Sequence, residues 1–163
     1  MVPVNQWIKI KAPATVANMV CGFDILGFAV NNPYDEMEMR LVQRSAGQAA
    51  ITIINIDDYN LPTDPEKNVA GAALIALIEE YTANSIIEKS LSAVSDSATK
   101  NDLIDFSIIG FEVKINKLIK PGSGVGSSAA SSAGAVVGAN YLLGNPFSKD
   151  DLVRFAMNGE KVA

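Results

Sequence analysis

The stretch Lys120-Pro-Gly-Ser-Gly-Val-Gly-Ser-Ser-Ala-Ala130 constrains this chain more than any other. Glycines alternate at Gly122, Gly124 and Gly126. Ser127 and Ser128 follow, and small residues continue from Ala129 to Ala135. Glycine gives the backbone access to positive φ and lets a ligand approach the main chain closely. Serine and alanine then open a helix whose first N–H groups have no partner within the helix. A glycine loop running into a helix N-terminus is an anion site, and phosphate is its usual guest. The same residues also suit a flexible connection before a tightly packed core helix, and composition alone leaves both readings open. The small side chains leave room beside the helix for something bulky, or for close packing against it.

Two named phosphate motifs can be tested directly. A Walker A loop needs a lysine after its last glycine, and Ser127 in that place excludes it. The dinucleotide pattern G-x-G-x-x-A fits Gly124-Val-Gly126-Ser-Ser-Ala129, but it follows a strand that is apolar throughout. Here Phe111-Glu-Val-Lys-Ile-Asn-Lys-Leu118 alternates, the mark of a half-exposed strand. No well-placed acid stands about 20 residues on to hold a ribose.

The loop resembles instead the phosphate loop of the GHMP kinases, P-x-x-x-G-L-G-S-S-A-A. The match runs over Lys120, Pro121, Gly122, Ser123, Gly124, Val125, Gly126, Ser127, Ser128, Ala129 and Ala130. Lys120 stands where the family has proline, and Val125 where it has leucine. Lys11-Ala-Pro-Ala-Thr15-Val-Ala-Asn18-Met-Val-Cys-Gly22-Phe-Asp24-Ile-Leu-Gly27 is similar to the first motif of one branch, the homoserine kinases, A-P-A-T-x-A-N-x-G-x-G-F-D-x-L-G. Val20-Cys21 departs from it. Leu61-Pro-Thr-Asp-Pro-Glu-Lys-Asn-Val-Ala70 resembles the N-P-A-x-x helix start of the same enzymes. Asn158-Gly-Glu160-Lys-Val-Ala163 resembles the beginning of their G-E-x-x-x-S-G-x-x-H-x-D-N segment. The resemblance spans nearly the whole chain except about residues 84–105.

That resemblance implies a two-layer α/β (α+β) fold, the N-terminal domain of the GHMP kinases. This is like domain 2 of ribosomal protein S5, with a left-handed βαβ crossover. It implies that residues 1–163 form one ATP-binding domain, truncated before the C-terminal ferredoxin-like domain and inactive alone, with an insertion at about 84–105. The absence of histidine agrees with a chain that stops short of the family's histidine-bearing loop. The function implied is ATP-dependent phosphorylation of the side-chain hydroxyl of L-homoserine, a step towards threonine, with ATP and Mg2+. Amides of Gly124 to Ser128 would hold the β- and γ-phosphates, and Ser128 and Glu160 the metal. Asn18 and Asp24 would lie near the acceptor hydroxyl, with Asp24 accepting its proton or orienting it. Apart from the family match, Tyr34 and Asp35 are read as facing the adenine or substrate side. Outside the resemblance, Glu160 reads as a solvated helix glutamate, and Thr15, Asn18 and Asp24 as turn formers. Competing functions are another small-alcohol kinase (mevalonate or shikimate), a nucleotide-binding module without catalysis, or an RNA binder like S5.

Composition narrows these. The 163 residues suit one domain, and 48% hydrophobic content supplies a core. A net charge of −5 speaks against nucleic acid. No apolar run reaches the length of a membrane span. Met1-Val-Pro-Val-Asn lacks the start of a signal peptide, so the expectation is cytoplasmic. Partners are then a small molecule and the absent domain, with a homodimer left open. Cys21 is the single cysteine, which rules out an internal disulfide. With no histidine to activate it, Cys21 reads as a small buried apolar residue.

The element pattern is mixed. Trp7–Lys11, Glu36–Val42 and Ala50–Ile56 alternate as strands, the last two separated by a turn at Gly47. Thr63-Asp-Pro-Glu66 reads as a capping box opening a helix with Val69, Ala73, Leu77 and Tyr81 on one stripe. Residues 84–105, including Ser85, Ser90, Ser92, Ser95 and Ser97, read as an irregular surface excursion, partly helical around Ile86–Val94. A strand over 106–118, the glycine loop and a helix to about Leu143 follow. After a Gly144-Asn-Pro146 break comes a helix capped by Ser148 and Asp151.

Overall fold

The structure, a computed structural model, describes residues 2–45, 47–92 and 104–163. Seven elements follow one another: β1 (Ile8–Met19), β2 (Gly22–Gln43), β3 (Ile51–Asn55), α1 (Val69–Ser92), β4 (Ile109–Asn116), α2 (Ser127–Leu142) and α3 (Lys149–Gly159). The strands make one four-stranded sheet in the order β1-β2-β4-β3. β1 and β2 pair antiparallel, as do β2 and β4, whereas β3 runs parallel to β4.

Alternation along the strands builds two unlike faces. Ile8, Met39, Val113 and Ile53 share one row across all four strands, and Leu41, Phe111 and Ile51 share another. These rows pack against Ala73, Leu74 and Leu77 of α1 and Ala135, Val136 and Ala139 of α2. The opposite face carries Lys9, Glu38 and Lys114 in one row and Arg40 and Glu112 in the next. The Arg40 guanidinium and the Lys114 ammonium lie 4.4 and 4.3 Å from the Trp7 ring. The molecule therefore has two layers, sheet and helices, as expected. α3 packs on α1 and α2.

The small residues of α2 serve close packing. A Cβ on Gly138 would lie 2.6 Å from Met39 Sδ and 2.9 Å from Ile10 Cδ1. Ser131, Ser132 and Gly134 are likewise buried. α2 therefore lies flush on β1 and β2.

Several expected boundaries move, each for a local reason. The turn at Gly47 (φ 88°) does not join neighbouring strands, because β4 lies between β2 and β3. Thr63–Glu66 does not cap α1. Asp64 instead closes a turn, its Oδ1 accepting from the Glu66 N–H at 3.1 Å. The cap is Asn68, whose Oδ1 accepts from the N–H groups of Ala70 (2.9 Å) and Gly71 (3.3 Å). Residues 84–92 continue α1 unbroken. Ser85 and Ser90 turn their hydroxyls back to the carbonyls of Tyr81 and Ile86, both at 2.8 Å, which absorbs their polarity within the helix. The rest of the expected excursion up to residue 103, with Ser95 and Ser97, lies outside the described residues. β4 is shorter than 106–118. Residues 106–108 form a turn on the Asp105 carbonyl, and the amide of Lys117 leaves the sheet to bond Asp57 Oδ2 at 3.0 Å. The Ser148–Asp151 capping box is present.

Candidate active site

The glycine loop connects the end of β4 to the start of α2. Gly122, Gly124 and Gly126 all have φ between 70 and 78°. Gly126 is the N-cap of α2, and no side chain caps that helix. The first amides of α2 therefore face outward with the positive end of the helix dipole behind them. A Cβ on Gly122 or Gly124 would meet nothing within 4 Å. Both border a cavity of about 460 Å3, within the range of small-ligand sites. Gly122, Gly124, Gly126, Ser127 and Ser128 form one wall. Leu61, Pro62, Asn68 and Val69, at the start of α1, form the other. The cavity thus has an amide-rich side and a mixed side, where Leu61, Pro62 and Val69 are apolar and Lys67 and Asn68 are polar. Asn68 holds the second wall in place, because its Nδ2 donates to the Pro62 carbonyl at 2.7 Å.

The N-terminal hairpin meets the loop at one point. The Thr15 N–H donates to the Val125 carbonyl at 3.0 Å, and an added Cβ on Gly126 would lie 2.1 Å from Thr15 Oγ1. Register shifts after Pro13 and Ala17 twist β1 at this place. Beyond it β1 and β2 run on as a two-stranded arm to a turn at Val20–Cys21. Asn18 (φ 57°) and the backbone of Asp24 belong to this arm, and Asn18 does not line the cavity. The side chain of Asp24 lies outside the described residues. Cys21 is exposed, not buried, because it sits in the turn at the tip of the arm, where its neighbours Val20 and Phe23 are exposed as well.

Ser128 and Glu160 come together. Ser128 Oγ donates to Glu160 Oε2 at 3.1 Å, joining the first turn of α2 to the C-cap of α3. Both are hard oxygen donors beside the uncapped start of α2, the donor type that suits Mg2+ when phosphates supply further ligands. Among the described residues no three acidic, histidine or cysteine side chains cluster as a metal site.

Tyr34 and Asp35 make their contacts elsewhere than in this cavity. The Tyr34 hydroxyl accepts from Lys11 Nζ at 3.2 Å, and this bond raises the lysine's pKa. Asp35 is fully buried and ion-paired with Lys117 beneath the loop. Neither lines the cavity. Lys117 does, and it was missed: it looks like a solvent-facing lysine at the end of an alternating strand. Leu61 and Pro62 were also missed as site walls, because only the fold brings them opposite the loop.

Comparison with known proteins agrees with this fold. Residues 85–163 match the GHMP kinases N terminal domain. The chain is 38% identical over 154 residues to a homoserine kinase of Chloroherpeton thalassium, covering 93% of this chain and 43% of the relative. It is 35% identical over 156 residues to a homoserine kinase of Methanococcus vannielii, covering 96% and 43%. The crystal structure of homoserine kinase from Cytophaga hutchinsonii matches with a TM-score of 0.73 and 38% identity over 100% of this chain and 44% of that one. Mevalonate kinase from Staphylococcus aureus, 14% identical with a TM-score of 0.51, shares the fold. The chain spans about 43% of the length of the curated relatives it matches. Sequence likeness over nearly its whole length, together with this fold, shows that the chain belongs to the GHMP kinase family and carries the fold of that family's N-terminal domain.

Proposed function

We propose that this chain is the nucleotide-binding part of an ATP-dependent kinase that phosphorylates the side-chain hydroxyl of L-homoserine, on the route to threonine. The observation that carries the reading is the uncapped start of α2 behind three left-handed glycines, opening into a cavity of about 460 Å3. The loop amides and the α2 dipole hold the β- and γ-phosphates. Leu61, Pro62 and Val69 offer the base an apolar wall. Ser128 and Glu160 are the residues that would hold Mg2+, which when bound would supply charge neutralisation for the phosphates. Little covalent work falls to the protein in phosphoryl transfer; it positions groups and stabilises charge. Asn18 and Asp24 approach the acceptor from the hairpin arm. The hydroxyl oxygen bonds to the γ-phosphorus, the bond from that phosphorus to its bridging oxygen breaks, and Asp24 takes or orients the hydroxyl proton. The remainder of the longer protein is the partner that completes the acceptor site, and the chain alone is inactive. Exposed apolar residues on the arm (Val20, Phe23, Ile25) and along α2 and α3 (Val137, Val153, Met157) support such a docked partner.

The test is ADP release by the full-length protein offered homoserine, mevalonate, shikimate and galactose in turn. Homoserine is expected to give the highest kcat/KM, and preference for any other acceptor overturns the assignment.

A further inference from the structure

We infer that Asp35 and Lys117 form a buried ionic clamp that sets the geometry of the glycine loop, so that Lys117 positions the phosphate site without binding phosphate itself. This rests on the phosphate-binding reading of the loop and adds residues that the family motifs do not contain.

The argument begins with donors. The Lys117 side chain is 2% exposed and that of Asp35 is 0% exposed. A buried charge persists only when it is paired and hydrogen-bonded. The Lys117 ammonium donates to Asp35 Oδ2, to the Ser127 carbonyl (2.6 Å) and to Ser131 Oγ (2.8 Å). An ammonium has three N–H donors and no more. All three are committed inside the protein, so none remains for a ligand even though Lys117 borders the cavity.

The network reaches both ends of the loop. The other oxygen of Asp35, Oδ1, accepts from the amides of Leu118 (2.9 Å) and Ile119 (2.8 Å), which lead into the loop. Ser127 Oγ donates to the Ile119 carbonyl at 3.1 Å, tying the loop's exit to its start. Residues 120–126 thus leave and re-enter a single buried cluster centred on one ion pair. The loop has three glycines in left-handed conformations, and on its own it has much freedom to lose. Fixing its ends removes part of the ordering cost that phosphate binding would otherwise carry. Direction is fixed as well. The C=O and N–H of one planar trans peptide point opposite ways, so holding the Ser127 carbonyl inward aims the Ser128 N–H outward.

The experiment uses the full-length protein and calorimetric titration with two probes, a non-hydrolysable magnesium–ATP analogue and adenosine. Three variants are compared: Lys117→Met, the paired Asp35→Leu with Lys117→Met, and Ser131→Ala. The paired variant replaces both charges by apolar groups, a change that buried ion pairs often tolerate without loss of stability. Ser131→Ala removes one ammonium partner and leaves the ion pair. Binding of the triphosphate analogue is expected to weaken about tenfold or more in the first two variants and about threefold in Ser131→Ala, with adenosine affinity within about twofold of wild type throughout. A folded paired variant that binds the analogue as wild type does makes the pair merely structural and overturns the inference. Equal losses for analogue and adenosine overturn it too, because they report a general loosening of the fold. A wild type that binds neither probe overturns the proposed function and this inference with it. A wild type that binds, with variants that bind equally well, overturns the inference alone.

Discussion

Gly124 and Gly126 share a left-handed backbone, yet a side chain at each would do different damage. At Gly126 a Cβ would strike Thr15 Oγ1, so any substitution also displaces the hairpin. At Gly124 the space is open, and only φ and the ligand object. Gly124→Val is therefore the cleaner probe. The left-handed conformation costs a β-branched residue about 1–2 kcal/mol, and the methyl groups would stand in the cavity. Calorimetry on the full-length variant should show binding of the ATP analogue weakened at least about 30-fold, near 2 kcal/mol, with a cooperative urea transition retained. Affinity within twofold of wild type would mean that the loop is a packing element. At this scale the sequence was legible where chemistry is local. The spacing of glycines and serines identifies the loop, because positive φ and free amides are needed wherever it sits. Asp35 and Lys117 were not legible, since each looks like a surface residue until β2 and β4 pair and bring them together, 82 positions apart in the chain.

Elements end where side chains intercept backbone groups, and that is why their boundaries resisted reading. Alternation placed the body of β2, where Met37, Met39 and Leu41 are buried. It said nothing of Asn68 capping α1, or of Asp35 and Asp57 drawing amides away from the end of β4. The Ser148–Asp151 box was readable because both partners lie within one turn. Contacts between helices carry a pH signature. Arg154 grips Glu80 through two bonds of 2.7 Å, joining α3 to α1. The hydrogen bonds from Arg154 hold the Glu80 carboxyl below its ordinary value near 4.5. A carboxyl depressed in the folded state stabilises fully above its unfolded pKa, and that stability is lost as pH falls through the lower, folded value. The pair is substantially exposed, so water and salt screen it and its contribution is small. Glu80→Gln should thus lower urea stability slightly at pH 7 and by less at an acid pH below the carboxyl's ordinary range. An equal deficit at both pH values would remove the ion pair as the cause. Asp151 is depressed too, chiefly by the Ser148 hydroxyl and then by Arg154, so acid sensitivity will persist in the variant.

For the molecule as a whole, the two-layer plan was readable and the order of strands was not. Hydrophobic period tells which face of a strand is buried, but not which strand lies beside it. Nothing in Glu36–Val42 or Ala50–Ile56 announces that a segment more than fifty residues downstream will slot between them. A polypeptide of residues 1–108, made without β4, is expected to show no cooperative unfolding by circular dichroism; a sharp melt would show that β1, β2 and β3 can assemble alone. The late arrival of β4 also bears on how the chain is made. β2 and β3 leave the ribosome first, without the strand that both must bond. The edge of β2 away from β1 and the whole of β3, with Met37 to Leu41 and Ile51 to Ile53, then lack their partner until Phe111, Val113 and Ile115 emerge. Chains emerge at about 5–20 residues per second, so this interval lasts several seconds. The nascent chain thus has its most aggregation-exposed moment between synthesis of β3 and of β4.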